Sequence, residues 1–178
     1  MVSQVESLHC DSKRRFPHLV EGLVQVFTCP HRGFFTSVMA QALRVSGQGN
    51  PVLIVQFLKG GIAQGHAHPV QLGQHLDWLR NDLPRCIDTP HLEPEEVTAL
   101  LDLWQHTQHV VLQGKYSLVV LDELSLAINF NIIGEAEVLA FLKKRPSHVD
   151  VILTGPDMPS AFIDMADQVT ELRRNRHT

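Results

Sequence analysis

The stretch Val119-Val120-Leu121-Asp122-Glu123-Leu124 reads as an apolar strand that delivers two adjacent carboxylates at its C-terminal end. Open parallel sheets bind their ligands there, outside the carboxyl ends of the strands. An acidic pair in that position can hold Mg²⁺ directly or through water, and its second carboxylate can orient a nucleophile or a polar substrate group. The plain alternative is a strand end closed by an acidic turn.

If Asp122 and Glu123 serve a phosphorylated ligand, a phosphate loop should join the first strand to the first helix. Backbone N–H groups and the helix N-terminus would cradle the phosphates there, and a lysine would neutralise them. The chain has Thr28-Cys29-Pro30-His31-Arg32-Gly33-Phe34-Phe35-Thr36 in that place. Pro30 removes one N–H, Gly33 is the loop's one glycine, and no lysine is present, so the regular Walker A pattern fails. Phe34 and Phe35 imply either a self-filled pocket or an interface where phosphate would otherwise sit.

Other polar candidates carry alternatives. His66 and His68 lie at i, i+2 in a loop and can share a metal, or they are solvated loop histidines. His106 and His109 are spaced for one helix face, where a surface or helix–helix contact is the simpler reading. Lys59, at the end of the second strand, either snorkels at the surface or faces a substrate. Asp167 reads as a helix-end residue.

The elements that must position these groups alternate along the chain. Strands are expected at Leu23 to Thr28, Val52 to Leu58, Tyr116 to Leu121, Val149 to Leu153 and Gln168 to Leu172; three of these runs are continuously aliphatic, as in strands buried on both faces. Helices are expected from Gly33 to Val45, from Pro94 to a stop at Gly114, and from about Gly134 to Lys144 before Pro146. The stripe Val97, Leu100, Leu101, Trp104, Gln108, Val111 and Leu112 gives the second helix its buried face. This alternation predicts an α/β fold of three layers with a mainly parallel central sheet and right-handed crossovers. Residues 1–21 read as an N-terminal arm and 22–178 as one domain.

The formal net charge of −4 argues against a nucleic-acid or membrane-surface binder, with basic clusters confined to Lys13-Arg14-Arg15 and Arg173-Arg174-Asn175-Arg176-His177. Cys10, Cys29 and Cys86 are odd in number and widely spaced, which suggests neither a disulfide framework nor a zinc site and fits a reducing, cytoplasmic setting. No apolar stretch approaches the length that spans a bilayer.

Taken in order, further segments carry a resemblance. Cys29 to Thr36 aligns with the loop Gly-x-Gly-Lys-Gly-Lys-Thr-Thr of the ATP:corrinoid adenosyltransferases; Ala42-Leu43-Arg44, Gly47-Gln48-Gly49 and Val55-Gln56-Phe57-Leu58-Lys59-Gly60 follow as in that family. Trp104-Gln105-His106, Val119 to Leu124, Arg145-Pro146, Thr154-Gly155, Ala166-Asp167 and Thr170-Glu171-Leu172 continue the likeness, which runs from about Gly22 to His177. The resemblance implies a phosphate-loop NTPase (RecA-like) architecture and transfer of the 5′-deoxyadenosyl group of ATP to a reduced cobalt(I) corrinoid, with release of triphosphate. It places Thr28, Arg32, Gly33, Thr36, Gln56, Thr154 and Gly155 in the nucleotide pocket, Asp122 and Glu123 on Mg²⁺, and Asp122, Glu123 and Lys59 among the catalytic candidates. Family members usually continue beyond the equivalent of Thr178, into a tail associated with corrinoid contacts.

The chain departs from the family pattern where phosphate is touched. Phe34 replaces the loop lysine, Phe35 the first loop threonine, Cys29 and His31 two glycines, and Pro156 an arginine, while Arg32 keeps some positive charge. Removing one donor to a developing anion costs roughly 10²–10³ in rate. The leading expectation is a non-catalytic relative that scaffolds a protein partner at the loop or takes a ligand less charged than ATP, with a homodimer as the family-like assembly. The rivals are an active adenosyltransferase using Arg32, Thr36, Asp122 and Lys59 with Mg-ATP and corrinoid, or a nucleotide-binding regulator holding Mg²⁺ on Asp122 and Glu123. A loop that had merely drifted would tolerate Phe34→Lys and Phe35→Thr together.

Overall fold

The computed structural model describes residues 21–62 and 64–173. Residues 1–20 of the N-terminal arm, with Cys10 and the first basic cluster, and all of the second basic cluster except Arg173 lie outside them. Seven strands form one sheet in the order β3-β4-β2-β5-β6-β1-β7: β1 Val24–Cys29, β2 Val52–Gln56, β3 Val70–Leu72, β4 Leu76–Arg80, β5 Leu118–Asp122, β6 Asp150–Pro156 and β7 Gln168–Glu171. Every pairing is parallel except that of β3 with β4. The helices are α1 Thr36–Gly47, α2 Pro94–Leu112, α3 Leu124–Asn129, α4 Glu135–Lys144 and α5 Ser160–Met165.

The three layers follow from side-chain alternation in the buried strands. On β5, Leu118 and Val120 face the side where Phe35 and the α1 residues Val38, Met39 and Ala42 pack. Val119 and Leu121 face the other side, against Leu100, Leu103 and Trp104 of α2, Val138, Phe141 and Leu142 of α4, and Phe162 of α5. Trp104 anchors that layer, edge-on to Phe57 at 6.0 Å and to Phe141 at 5.2 Å between ring centroids. Its indole N–H donates to Glu137 at 2.8 Å, so the ring's one polar atom is satisfied.

Local chemistry sets the helix ends. Pro94 opens α2, Glu95 and Glu96 complement its dipole, and the Glu96 carboxylate accepts the backbone N–H of Glu93. Gly114, at φ 69°, ends it. The buried stripe of α2 is Leu100, Leu103, Trp104, Thr107 and Val111, so the expected stripe is displaced: Leu112 is 46% exposed and Thr107 is buried. Thr107 is hidden from a hydropathy reading because its hydroxyl is satisfied within the helix, on Leu103 O at 2.7 Å.

Four features depart from the expected elements. β4 and β3 were not anticipated, since Asp77, Trp78 and Arg80 break the apolar run of β4. Helices α3 and α5, six residues each, lack side-chain caps and long periodicity. β2 stops at Gln56, two residues short of the expected end, because the chain leaves the sheet there; the N–H of Phe57 still reaches Asp122 O at 3.4 Å. Helix α1 begins at Thr36 rather than Gly33, because Phe35 at its N-cap has ψ 77°.

The two loop phenylalanines have opposite fates. Phe35 is 1% exposed and belongs to the core under α1, whereas Phe34 is 55% exposed. Their joint replacement is therefore not the mild change expected of a drifted loop. Truncating the core ring in Phe35→Ala should cost about 3–5 kcal/mol, with Phe35→Thr no milder, while Phe34→Lys should stay within about 0.5 kcal/mol. Urea unfolding of the single variants measures both.

Candidate functional site

Asp122 is the last residue of β5 and has no exposed surface. A buried carboxylate must be paired or hydrogen-bonded, and three donors from two neighbouring segments converge on it. Gln56 stands beside it in register on β2 and donates Nε2 to Oδ2 at 2.7 Å. Lys59, in the turn after β2, places Nζ 2.8 Å from the same oxygen. From β6, the Thr154 hydroxyl donates to Oδ1 at 2.7 Å.

The polarity of these donors is fixed by what lies behind them. The Gln56 carbonyl accepts Trp78 Nε1 at 2.9 Å and Arg80 Nε at 2.8 Å, so its amide nitrogen must face Asp122. Thr154 Oγ1 accepts the backbone N–H of Glu123 at 3.1 Å and so directs its own proton to Asp122. Strand β4, missing from the expected elements, thus supplies two side chains that orient the site.

Glu123 turns the chain out of the sheet with φ 60°, in the left-handed region that non-glycine residues seldom adopt. That turn swings its carboxylate to the β1–α1 loop, where Arg32 grips it as a fork: Nε to Oε1 and Nη2 to Oε2, each at 2.7 Å. The remaining Arg32 nitrogen, Nη1, donates to Ile87 O at 2.7 Å. The hydrogen bond to Glu123 raises the already high pKa of the guanidinium against the opposing effect of burial, so Arg32 stays charged. The carboxylates are at the carboxyl end of the central strand, beside the turn that contains Cys29 to Gly33, as the sequence led us to expect.

The loop itself is closed by apolar and backbone contacts. The Thr36 N–H at the start of α1 is turned to Phe34 O at 3.1 Å, and those of Val38 and Met39 go to Phe35 O. Phe34 lies against Lys59, with Nζ 5.0 Å from its ring centroid. Gly155 has φ 139°, and a side chain there would run into the Ser125 hydroxyl, which donates to Pro156 O at 2.6 Å.

Of the residues expected at the site, Arg32, Gln56, Lys59, Asp122, Glu123 and Thr154 form one connected network. Thr28 does not join it; with Cys29, Pro30, Asp157, Ile163 and Glu171 it lines a cleft of about 390 Å³ on the β1–β7 side of the sheet. Thr36 is exposed at the helix start, and Gly33 is half-buried in the loop. Trp78, Arg80 and the Ile87 carbonyl were missed. The only sequence signal for the first two was a run of half-polar residues after His75.

The histidines resolve differently from a metal pair. His66 stacks on His106 of α2, with ring centroids 5.1 Å apart and planes at 32°, while His68 is exposed. Among the described residues no group of three or more His, Cys, Asp or Glu side chains is arranged to hold a metal. Asp167 follows α5 and accepts the Val24 N–H at 2.7 Å, a structural role at a helix end. Among the same residues, no helix is long and apolar enough to cross a membrane.

The ATP:corrinoid adenosyltransferase family BtuR/CobO/CobP matches residues 20–178. Among curated proteins, the corrinoid adenosyltransferase CobA of Salmonella typhimurium is 31% identical over 157 residues, spanning 88% of this chain and 79% of its own. The corrinoid adenosyltransferase of a Sinorhizobium species is 28% identical over 169 residues, 88% and 74% of the two chains. That of Escherichia coli is 29% identical over 157 residues, 88% and 79%.

Burial lowers the pKa of His106 below its ordinary 6.5, and repulsion from His66 and His109 lowers it further. The unfolded chain therefore binds this proton more readily than the folded one. The stability held by neutral His106 is complete above about pH 6.5 and declines as pH falls from there toward the lower folded-state value. Urea midpoints should drop between pH 7.5 and 5.5, and His106→Gln should flatten that drop.

Proposed function

Because the chain belongs to the ATP:corrinoid adenosyltransferase family, we propose that it is a member that keeps the fold without the adenosyl transfer, its loop serving a protein partner or a ligand less charged than ATP. One observation carries this reading: the two cations beside the loop, Arg32 and Lys59, are already committed to Glu123 and Asp122, and a phenylalanine stands where the family's loop lysine would meet phosphate. Expulsion of triphosphate from the 5′-carbon of ATP builds negative charge on the leaving oxygen. A site lowers that barrier with cations and N–H groups aimed at the charge, and each donor removed costs roughly 10²–10³ in rate.

The exposed ring of Phe34, beside the Lys59 ammonium, supports a partner surface. A family-like homodimer and a cytoplasmic setting belong to the same reading; the free thiols Cys29 and Cys86 support the latter.

A second reading has its own support. The relatives named above are corrinoid adenosyltransferases, and Thr36, Asp122 and Glu123 are retained. On that reading Arg32 would exchange Glu123 for phosphate oxygens, Lys59 would leave Asp122, and Asp122 with Glu123 would be the groups left to face Mg²⁺.

The two readings separate in one assay. Incubated with Mg-ATP and a corrinoid reduced to cobalt(I), the chain should leave the corrinoid's visible spectrum without the adenosylated product, and calorimetry should detect no Mg-ATP binding. Product formation at a rate near that of the Salmonella relative would establish the second reading.

A further inference from the structure

A Mg²⁺ ion accompanying a triphosphate would be held in this fold by the acidic pair at the end of β5, and the donors around that pair decide whether one fits. Mg²⁺ demands near-ideal octahedral geometry and oxygen lone pairs directed at it. Asp122 has three of its roughly four lone-pair sites filled: Oδ1 receives the Thr154 hydroxyl, and Oδ2 receives both Gln56 and Lys59. The Gln56 carbonyl accepts Trp78 and Arg80, and the Thr154 oxygen accepts the Glu123 N–H. Each Glu123 oxygen accepts one Arg32 N–H, so the guanidinium charge stands against both. A divalent ion brought to the lone pairs that remain would meet the Lys59 ammonium and the Arg32 guanidinium on the same carboxylates, so the residues as arranged do not fit it.

We propose that Lys59 stands in for the divalent cation, its ammonium serving as the resident counter-charge of Asp122 and making this end of the sheet metal-independent. The argument is electrostatic and geometric together. Asp122 is 0% exposed, so its charge needs a compensating charge in contact, and an ammonium at 2.8 Å supplies it. Lysine suits the role as a compact point charge on a flexible stem, whereas the planar fork of Arg32 matches the two oxygens of Glu123. The Phe34 ring lies 5.0 Å from the ammonium, centroid to Nζ, and favours a cation there. Two carboxylates are thus balanced by two cations of the same chain, and a divalent ion would have to displace Lys59 against that pairing. The inference does not depend on whether adenosyl transfer has been lost, because it concerns the cation and not the product.

The test is a titration of the full chain with Mn²⁺ alone, read by the electron paramagnetic resonance signal of free Mn²⁺ and by the thermal midpoint. The wild type should bind no Mn²⁺ that Asp122→Asn abolishes, and its midpoint should not respond to the metal. Lys59→Met, which keeps the stem and removes the charge, should gain a Mn²⁺ site at least about tenfold tighter than any residual binding by the wild type. Its midpoint should rise by roughly 3–6 °C at ten times the Kd, and adding Asp122→Asn should cancel both effects. Stoichiometric binding by the wild type that is lost in Asp122→Asn would overturn the proposal, as would a folded Lys59→Met variant that gains no affinity. Should Lys59→Met not fold, Lys59→Gln, which keeps a donor without the charge, decides by the same two outcomes.

Discussion

A carboxylate without exposed surface, Asp122, sits where the buried strand β5 ends, and the surrounding arrangement can be traced to the need to satisfy it. Transferring an ionised group out of water is unfavourable by several kcal/mol unless charge and hydrogen bonds replace the lost hydration. Gln56 and Thr154 come from the strands on either side of β5, and Lys59 comes from the turn that follows one of them. Behind these stand Trp78 and Arg80 of β4, so the polar network crosses from β4 through β2 and β5 to β6. Four parallel strands are thereby held in one register at their carboxyl ends by side chains as well as by the backbone ladder.

The β1–α1 loop is tied to this network by a different mechanism. Glu123 leaves β5 in a left-handed turn, a conformation that is unfavourable for a residue with a side chain, and the bidentate contact with Arg32 holds it there. The same guanidinium bonds Ile87 O, so one side chain fastens the loop, the end of β5 and the segment after β4. Phe35 secures the loop from below by burying its ring under α1. The loop conformation is therefore set by an apolar anchor on one side and an ion pair on the other. Gly60 permits the turn carrying Lys59, since a side chain there would collide with the carbonyl oxygens of Leu83 and Arg85.

Family membership and local chemistry answer separate questions for this chain. The match over residues 20–178 and the parallel sheet concern ancestry and architecture. Adenosyl transfer depends on a handful of cations and N–H groups around the phosphates, and a fold can persist after such groups change because the core that holds it lies elsewhere. Here the core comprises the alternating faces of β2, β5 and β6 with Trp104, Phe141 and Phe162.

The sequence by itself determined the layered architecture and the position of the acidic pair. Strands buried on both faces are written as unbroken aliphatic runs, which made β2, β5 and β6 legible, and Pro94, Gly114 and Pro146 marked helix ends through backbone constraints that act locally. β4 was illegible because Asp77 and Arg80 interrupt its apolar residues, Arg80 serving the polar network, and α3 and α5 because six residues carry too little periodicity. Only the tertiary structure decided what each charged residue faces. Arg32 and Glu123 are 91 positions apart, Lys59 and Asp122 are 63, and His66 meets His106 across a loop and a helix. Hydropathy and turn chemistry are read from neighbours along the chain, whereas the partner of a charge is fixed by which strand ends the crossovers bring together, and no local pattern encodes that.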